Sequence, residues 1–205
     1  MVFLANFLNG NKCYLCNLKS ELLCDKCFSR LQKVESSERI LGNTLNSLYK
    51  YNEYSSKILL MAKYPPYYFH ILKLLIRKSQ LPVFLKDSLF CPVPLSSLKM
   101  FERKFNQAEL IANELVKYSP GVVFPTLKRI RDSKPLFELN RSARKSEIEG
   151  VFRMSLRGSL LPRKDIQNIV LVDDLVTTSE TVKDCIRALK LGGFKNIEIF
   201  SLFRA

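Results

Sequence analysis

Residues Ile169 to Thr181 read Ile-Val-Leu-Val-Asp-Asp-Leu-Val-Thr-Thr-Ser-Glu-Thr. Two adjacent carboxylates, Asp173 and Asp174, precede a hydroxyl-rich stretch, Thr177, Thr178, Ser179, Glu180 and Thr181. Paired carboxylates can accept hydrogen bonds from sugar hydroxyls or hold Mg²⁺ through water. A hydroxyl-rich loop that opens a helix also presents unpaired backbone N–H groups at the positive end of the helix dipole, and so can cradle a phosphate. The flanking residues supply that context. Ile169 to Val172 form a short, β-branched apolar run, the pattern of a strand buried on both faces. Val182, Ile186 and Leu189 then recur at helical spacing. The sequence predicts a strand with both acids at its carboxyl end, a loop and a helix: together, a site for a phosphorylated sugar. The competing reading is an Asp-Asp turn before an ordinary capped helix, since Asp, Thr and Ser all favour helix starts. The strand and helix on either side favour the site.

A second constellation lies near the amino end. Cys13-x-x-Cys16 is followed by Cys24-x-x-Cys27. Each Cys-x-x-Cys turn can aim two thiolates at one centre, and two such turns complete the tetrahedral shell of a structural Zn²⁺. Disulfides compete with this reading, but nothing in the chain suggests an oxidising compartment. A redox dithiol is disfavoured because the motif is doubled. An all-thiolate shell leaves no open position, so the metal is expected to be structural and to contribute folding energy. Cys91 and Cys185 stand alone in apolar settings and read as small core residues. The single histidine, His70, sits among aromatic and apolar residues with no ligand-like partner.

The elements that must carry these groups follow from periodicity. Residues 28–40 read as a short helix and Thr44 to Tyr51 as a strand. A turn is expected at Asn52-Glu53, then helical stretches over 55–62 and 68–77 broken by Pro65-Pro66. Leu89 to Pro94 reads as a strand leading into a loop with Ser96 and Ser97. Gln107 to Val116 is an amphipathic helix, and Val122 to Phe124 starts another strand. Lys128 to Glu149 is polar, basic and without period, which suggests a mobile loop or hairpin. Ile197 to Leu202 is a last strand. Strands alternate with helices, so the fold class is α/β, an open, mostly parallel sheet covered on both sides. Ligands of such sheets bind beyond the carboxyl ends of the strands.

The chain has 205 residues, enough for one buried α/β domain and a small appendage. The division read here is a four-Cys module over 1–40 and the α/β domain over 41–205. Lys and Arg outnumber Asp and Glu by 33 to 19, a formal net charge of +14. That balance favours polyanionic or phosphorylated partners. No stretch is long and apolar enough to predict a transmembrane segment. Met1 to Leu8 lacks the basic lead, apolar core and small-residue cleavage site of a signal peptide, so a cytoplasmic protein is expected. Basic charge also allows a peripheral position at the inner face of the cytoplasmic membrane, though no amphipathic anchor is evident.

The Asp173 to Thr181 segment resembles the phosphoribosyl pyrophosphate (PRPP) motif of type I phosphoribosyltransferases. The resemblance implies that Asp173 and Asp174 take the ribose hydroxyls, with Mg²⁺ accompanying the ligand. It implies also that Thr177, Thr178, Ser179, Glu180 and Thr181 take the 5′-phosphate. That family usually has Gly where this chain has Ser179. The order of the pieces further resembles the competence protein F (ComF) family, which joins a four-Cys zinc module to such a domain. The matching patches are the paired Cys-x-x-Cys, Cys91-Pro-Val-Pro-Leu leading to Phe105-Asn-Gln-Ala, the Arg129 to Phe152 stretch, and the Asp173 loop with the helix and strand after it. Where that family often has Arg-Gly before Phe-Asn-Gln, this chain has Arg103-Lys104. It often has Gln in place of Leu136 and Asn in place of Glu147.

This second resemblance implies a role in DNA uptake during natural transformation, on incoming single-stranded DNA. Implied partners are a helicase-like DNA translocase and recombination mediators. The residues fit: Lys99, Arg103 and Lys104 cluster with Phe101 and Phe105, and Lys128, Arg129, Arg131 and Lys134 form a second group, continued by Arg141, Arg144 and Lys145. Single-strand binders combine basic grooves with stacking aromatics. Phe105 could equally be a core residue and the lysines a solvated surface. By position, Leu95, Ser96 and Ser97 would form the pyrophosphate-side loop, with Arg141 and Arg144 from the basic loop neutralising the charge. Whether the domain turns over a substrate is open, because no residues specify an acceptor base or amine.

Overall fold

The computed structural model describes residues 12–20, 22–64, 69–85, 87–131, 150–155 and 168–205. The strands are β1 (Glu38–Ile40), β2 (Asn43–Lys50), β3 (Ser88–Pro92), β4 (Gly121–Val123), β5 (Leu127–Arg129), β6 (Phe152–Met154), β7 (Asn168–Val176) and β8 (Asn196–Arg204). The helices are α1 (Asp25–Phe28), α2 (Glu53–Lys63), α3 (His70–Arg77), α4 (Ser97–Arg103), α5 (Gln107–Leu115) and α6 (Glu180–Leu191). Six strands form one sheet in the order β1-β2-β8-β7-β3-β4. All neighbours are parallel except β1, which runs antiparallel to β2. β5 and β6 pair as a separate antiparallel ribbon. The α/β class and mostly parallel sheet are those expected from the sequence.

The apolar run at Ile169 shows why both faces are covered. Val170 and Val172 of β7, with Phe200 and Leu202 of β8, enter a core closed by Ile58 and Leu59 of α2, Ile71 and Leu75 of α3, and Ile111 of α5. The alternate residues Ile169, Leu171, Ile197 and Ile199 enter a second core closed by Val182, Cys185, Ile186 and Leu189 of α6. Period-2 side-chain direction thus turns one continuous apolar run into two cores. The lone cysteines Cys91 and Cys185 are both fully buried in the second. Cys13, Leu23, Cys27 and Leu31 join the first, so the four-Cys segment packs on the α2 and α3 side of the sheet.

Four local expectations differ from the structure. Residues 28–40 are not a helix. Beyond α1 the chain lies along the β2 edge: Val34 N–H donates to Leu48 O, Lys50 N–H donates to Gln32 O, and Lys33 bridges Tyr49. It then turns through Leu41 (φ 49°) and Gly42 (φ 80°) into β2. Both central residues have positive φ, as a type I′ hairpin requires. The open backbone groups of the β2 edge outcompete local helix propensity. Second, Asn52 and Glu53 begin α2 instead of forming a turn. The Asn52 side chain accepts from the N–H groups of Tyr54 and Ser55, and the Ser55 hydroxyl accepts from Asn52 N–H, a capping box. Third, Ser96 and Ser97 do not sit in a plain loop: Ser96 Oγ accepts from Lys99 N–H at 3.2 Å and caps α4. Fourth, β7 continues past both acids to Val176.

Candidate functional site

Asp173 and Asp174 lie in the last part of β7, where its ladder is interrupted. Asp173 is opposite Ser201 and Leu175 opposite Phe203, while Asp174 stands outside that register. Asp174 N–H instead donates to Asp173 Oδ1 at 2.8 Å. The odd spacing between Val172 and Leu175, both packed in the first core, marks the same break in alternation. Burial and the Asp174 charge beside it push the Asp173 carboxyl up to about 8. Asp174 is buried and its Oδ2 pairs with Lys63 Nζ at 2.6 Å. Lys63 is the last residue of α2.

After Val176 the chain turns through Thr177 and Thr178 into α6. Ser179 precedes the first helical residue with φ 66° and ψ 4°, the left-handed region, and no side chain caps the helix. The backbone therefore keeps the conformation that glycine favours although the residue is serine. The same holds at Lys104, after α4, with φ 65°. Glu180 turns back along the helix to pair with Lys183 Nζ at 2.7 Å. Thr177 is exposed, and Thr178, Ser179, Glu180 and Thr181 are half-buried. The arrangement offers a helix N-terminus, hydroxyls and two carboxylates on one rim, a combination suited to a sugar phosphate.

Cations gather on the other side of Asp174. Lys99 is depressed by burial and by the charges of Arg103, Arg129 and Lys63, while Asp174 pulls it the other way. Its side chain stays solvent-accessible. Arg103 is buried, with its guanidinium 5.5 Å from the centre of the Tyr64 ring and Nη1 donating to Gln107 Oε1 at 3.3 Å. Arg103 Nε and Gln107 Nε2 are buried without a hydrogen-bond partner. Unmatched buried donors are costly, and an acceptor oxygen would relieve both. Arg103 is thus interior, unlike the surface side chain that its place in the basic cluster suggested. Lys104 is exposed with Nζ 4.0 Å from the Phe101 ring centre, and Phe101 is 73% exposed. Phe105 stacks on Phe69 at 5.3 Å and is half-buried. Arg129 lies over the Phe152 ring, and Arg131 is exposed. Leu95 and Ser96 border α4. Arg141, Arg144, Lys145 and Lys134 lie outside the described residues.

Sequence reasoning missed Lys63, and it named Gln107 only within the Phe105-Asn-Gln-Ala patch, with no role. Lys63 reads as a polar residue at the end of an amphipathic helix, and only the tertiary fold brings it to Asp174. Gln107 follows a helix-capping Asn106, whose carbonyl oxygen accepts from Ala108 N–H and whose amide donates to Val93 O. That bond ties α5 to the segment after β3.

The four sulfurs of Cys13, Cys16, Cys24 and Cys27 all lie within 4.8 Å of one another. Cys16 and Cys24 Sγ are 3.5 Å apart. A tetrahedron of Zn–S bonds places sulfurs about 3.8 Å apart, so the donor set fits a metal ion such as zinc. The first Cys-x-x-Cys closes with Asn17 N–H donating to Cys13 O and Asn17 at φ 60°; the second opens α1, with Phe28 N–H donating to Cys24 O. Burial raises the Cys13 thiol, but the N–H groups of Cys24, Leu15 and Cys16 more than offset it and hold it below its usual range. Backbone donors of this kind favour thiolate, the form a metal needs.

No protein-family model matches the chain. Curated relatives do. Competence protein F of Haemophilus influenzae is 26% identical over 118 residues, 56% of this chain and 49% of the relative. DNA utilization protein YhgH of Salmonella typhimurium is 30% identical over 114 residues, 55% of this chain and 47% of the relative. Competence protein ComFC of Streptococcus pneumoniae is 30% identical over 119 residues, 58% and 49% respectively. The chain spans about half the length of the curated relatives it matches. The chain is thus similar, over about half of their length, to competence proteins F and ComFC from several bacteria, and it carries an α/β sheet and a four-Cys cluster.

Proposed function

We propose that the chain is a PRPP-binding, phosphoribosyltransferase-like competence protein that handles single-stranded DNA during its uptake. The observation that carries the reading is the backbone at Ser179. A serine is held at φ 66° where a helix opens directly after two acids. Left-handed geometry costs an L-residue about 1–2 kcal/mol and persists only where the surroundings demand it. Asp173 and Asp174 would accept from the ribose hydroxyls, with Mg²⁺ bound through water. Thr177, Thr178, Ser179, Glu180 and Thr181 would surround the 5′-phosphate. Leu95, Ser96 and Ser97, with Arg141 and Arg144, would face the pyrophosphate, beside the cations at Lys63 and Lys99. Lys99, Lys104 and Arg131, with exposed Phe101, fit a strand-binding surface, which Arg129 and Lys134 would extend.

The four cysteines would hold one structural Zn²⁺ in a module over 1–40, ahead of the domain over 41–205. Among the described residues no helix is long and apolar enough to cross a membrane. The relatives named as competence proteins support a place in the competence machinery; within this reading the chain would be cytoplasmic, at the inner face of the membrane, beside a DNA translocase and a recombination mediator.

Calorimetric titration of zinc-loaded protein with PRPP and Mg²⁺ tests the site. Binding that vanishes in Asp173→Ala/Asp174→Ala supports it; no binding to wild type sinks it. The strand-binding part predicts an affinity for single-stranded DNA that falls steeply with salt. An active transferase is the second reading, favoured by the cations around Asp174, which could stabilise a departing pyrophosphate. Pyrophosphate release across a panel of base and amine acceptors decides it, and silence across the panel counts against turnover.

A further inference from the structure

Arg204 ends β8 directly behind the Thr177 turn, and its guanidinium spends its donors in two directions. Nε and Nη2 grip the Glu38 carboxylate, at 3.0 and 3.1 Å from Nε and 3.0 Å from Nη2. Nη1 donates to Val176 O at 3.2 Å, to Thr177 O at 2.5 Å and to Ala205 O at 2.6 Å. Two of these acceptors are the consecutive carbonyls that lead out of β7. In a planar trans peptide the C=O and the following N–H point opposite ways. Holding Val176 O and Thr177 O toward Arg204 therefore turns Thr177 N–H and Thr178 N–H away from it, to the opposite side of the turn. Glu38 fixes the guanidinium from the far side, because a bidentate carboxylate sets its plane as well as its position. Ala205 N–H donating to Val176 O and Tyr51 N–H donating to Arg204 O hold the backbone of this strap in register.

From this geometry we infer that Arg204, oriented by Glu38, is a positioning residue for the loop at Thr177–Thr181, setting the N–H groups that meet an anionic oxygen of the ligand. The inference rests on reading that loop as a phosphate cradle. It also ties the cradle to the β1–β2 hairpin that follows the four-Cys segment. Lysine cannot reproduce the role, since one ammonium cannot bridge a carboxylate and two carbonyls in a fixed plane.

The test uses the full zinc-loaded chain with Arg204→Lys and Glu38→Gln, the second keeping the arginine in case the first folds poorly. Hydrogen exchange read by mass spectrometry should show the 177–181 amides exchanging about tenfold faster in both variants, with β3 and α5 unchanged. PRPP and ribose 5-phosphate should bind about tenfold more weakly, while Mg²⁺-pyrophosphate, which lacks the 5′-phosphate, should bind as to wild type. Unchanged loop exchange in both variants overturns the inference, and so does uniformly faster exchange across the sheet, which marks a merely structural arginine. Faster loop exchange in a protein whose wild type binds neither sugar phosphate upholds the strap and sinks the PRPP reading instead.

Discussion

Replacing Ser179 with glycine should stabilise the protein. Ser179 sits at φ 66°, ψ 4° and contributes no capping hydrogen bond to α6, so removing its hydroxymethyl group gives up no cap at the helix start. The left-handed conformation costs an L-residue about 1–2 kcal/mol. Glycine brings back roughly 0.5–1 kcal/mol as extra freedom of the unfolded chain. The difference leaves a net gain of about 0.5–1 kcal/mol, or roughly 2–3 °C in Tm for a chain of this size. Lys104→Gly makes the control. Lys104 is equally left-handed at φ 65°, but its ammonium lies 4.0 Å from the Phe101 ring centre. An exposed cation–π contact is worth about 0.5–1 kcal/mol, so relief and loss should nearly cancel. Ser179→Val should cost more than either change, because a β-branched residue at positive φ is a genuine outlier. Urea and thermal melts at fixed zinc should rank Ser179→Gly above wild type and Lys104→Gly, with Ser179→Val lowest. A less stable Ser179→Gly would refute the strain argument, and with it the observation on which the phosphate-cradle reading leans most.

Asp173 titrates at about 8 through burial and its neighbour Asp174, well above the roughly 4 of an unfolded aspartate. Its proton therefore stabilises the fold below about pH 4, and the contribution is lost as pH rises toward about 8. Asp173→Asn should flatten this fall, by a few kcal/mol at most, in urea melts between about pH 5 and pH 8.5; an unaltered slope would place the titration elsewhere. Lys63→Met leaves Asp174 without its partner and should cost about 2–3 kcal/mol, the low end for a buried pair because both side chains keep some exposure. Much of that loss should return in Lys63→Met/Asp174→Asn, which removes the orphaned charge, and a double-mutant cycle reads it directly. Zinc analysis should find one ion per chain, and Cys24→Ser should release it while the sheet persists by circular dichroism. A sheet that melts along with zinc loss would show that Cys13, Cys27, Leu23 and Leu31 are indispensable to the core they join.

The parts of this molecule legible in its sequence are those whose signal is local. Ile169 to Val172 announce a strand buried on both faces because four consecutive residues all need apolar surroundings, and they find them in two cores. The paired Cys-x-x-Cys turns announce a metal shell because the chemistry fixes the spacing. The missed features are decided elsewhere in the chain. α4 has no readable amphipathic period, since Leu98, Met100 and Phe101 are exposed and its one buried side chain is Arg103. A cap at Ser96 and a left-handed Lys104 bound that helix instead. Residues 28–40 carry helix-compatible side chains, yet the unpaired edge of β2 recruits them. Lys63 and Arg204 look like ordinary basic residues at the ends of a helix and a strand. Each meets the candidate site only because the fold brings the end of α2 to Asp174 and sets β8 beside β7, so that a contact between residue 204 and residue 38 reaches the loop at 177. Sequence position carries no trace of that adjacency. The groups proposed to bind are therefore named by their own motif, while the groups that hold them in place have to be read from the fold.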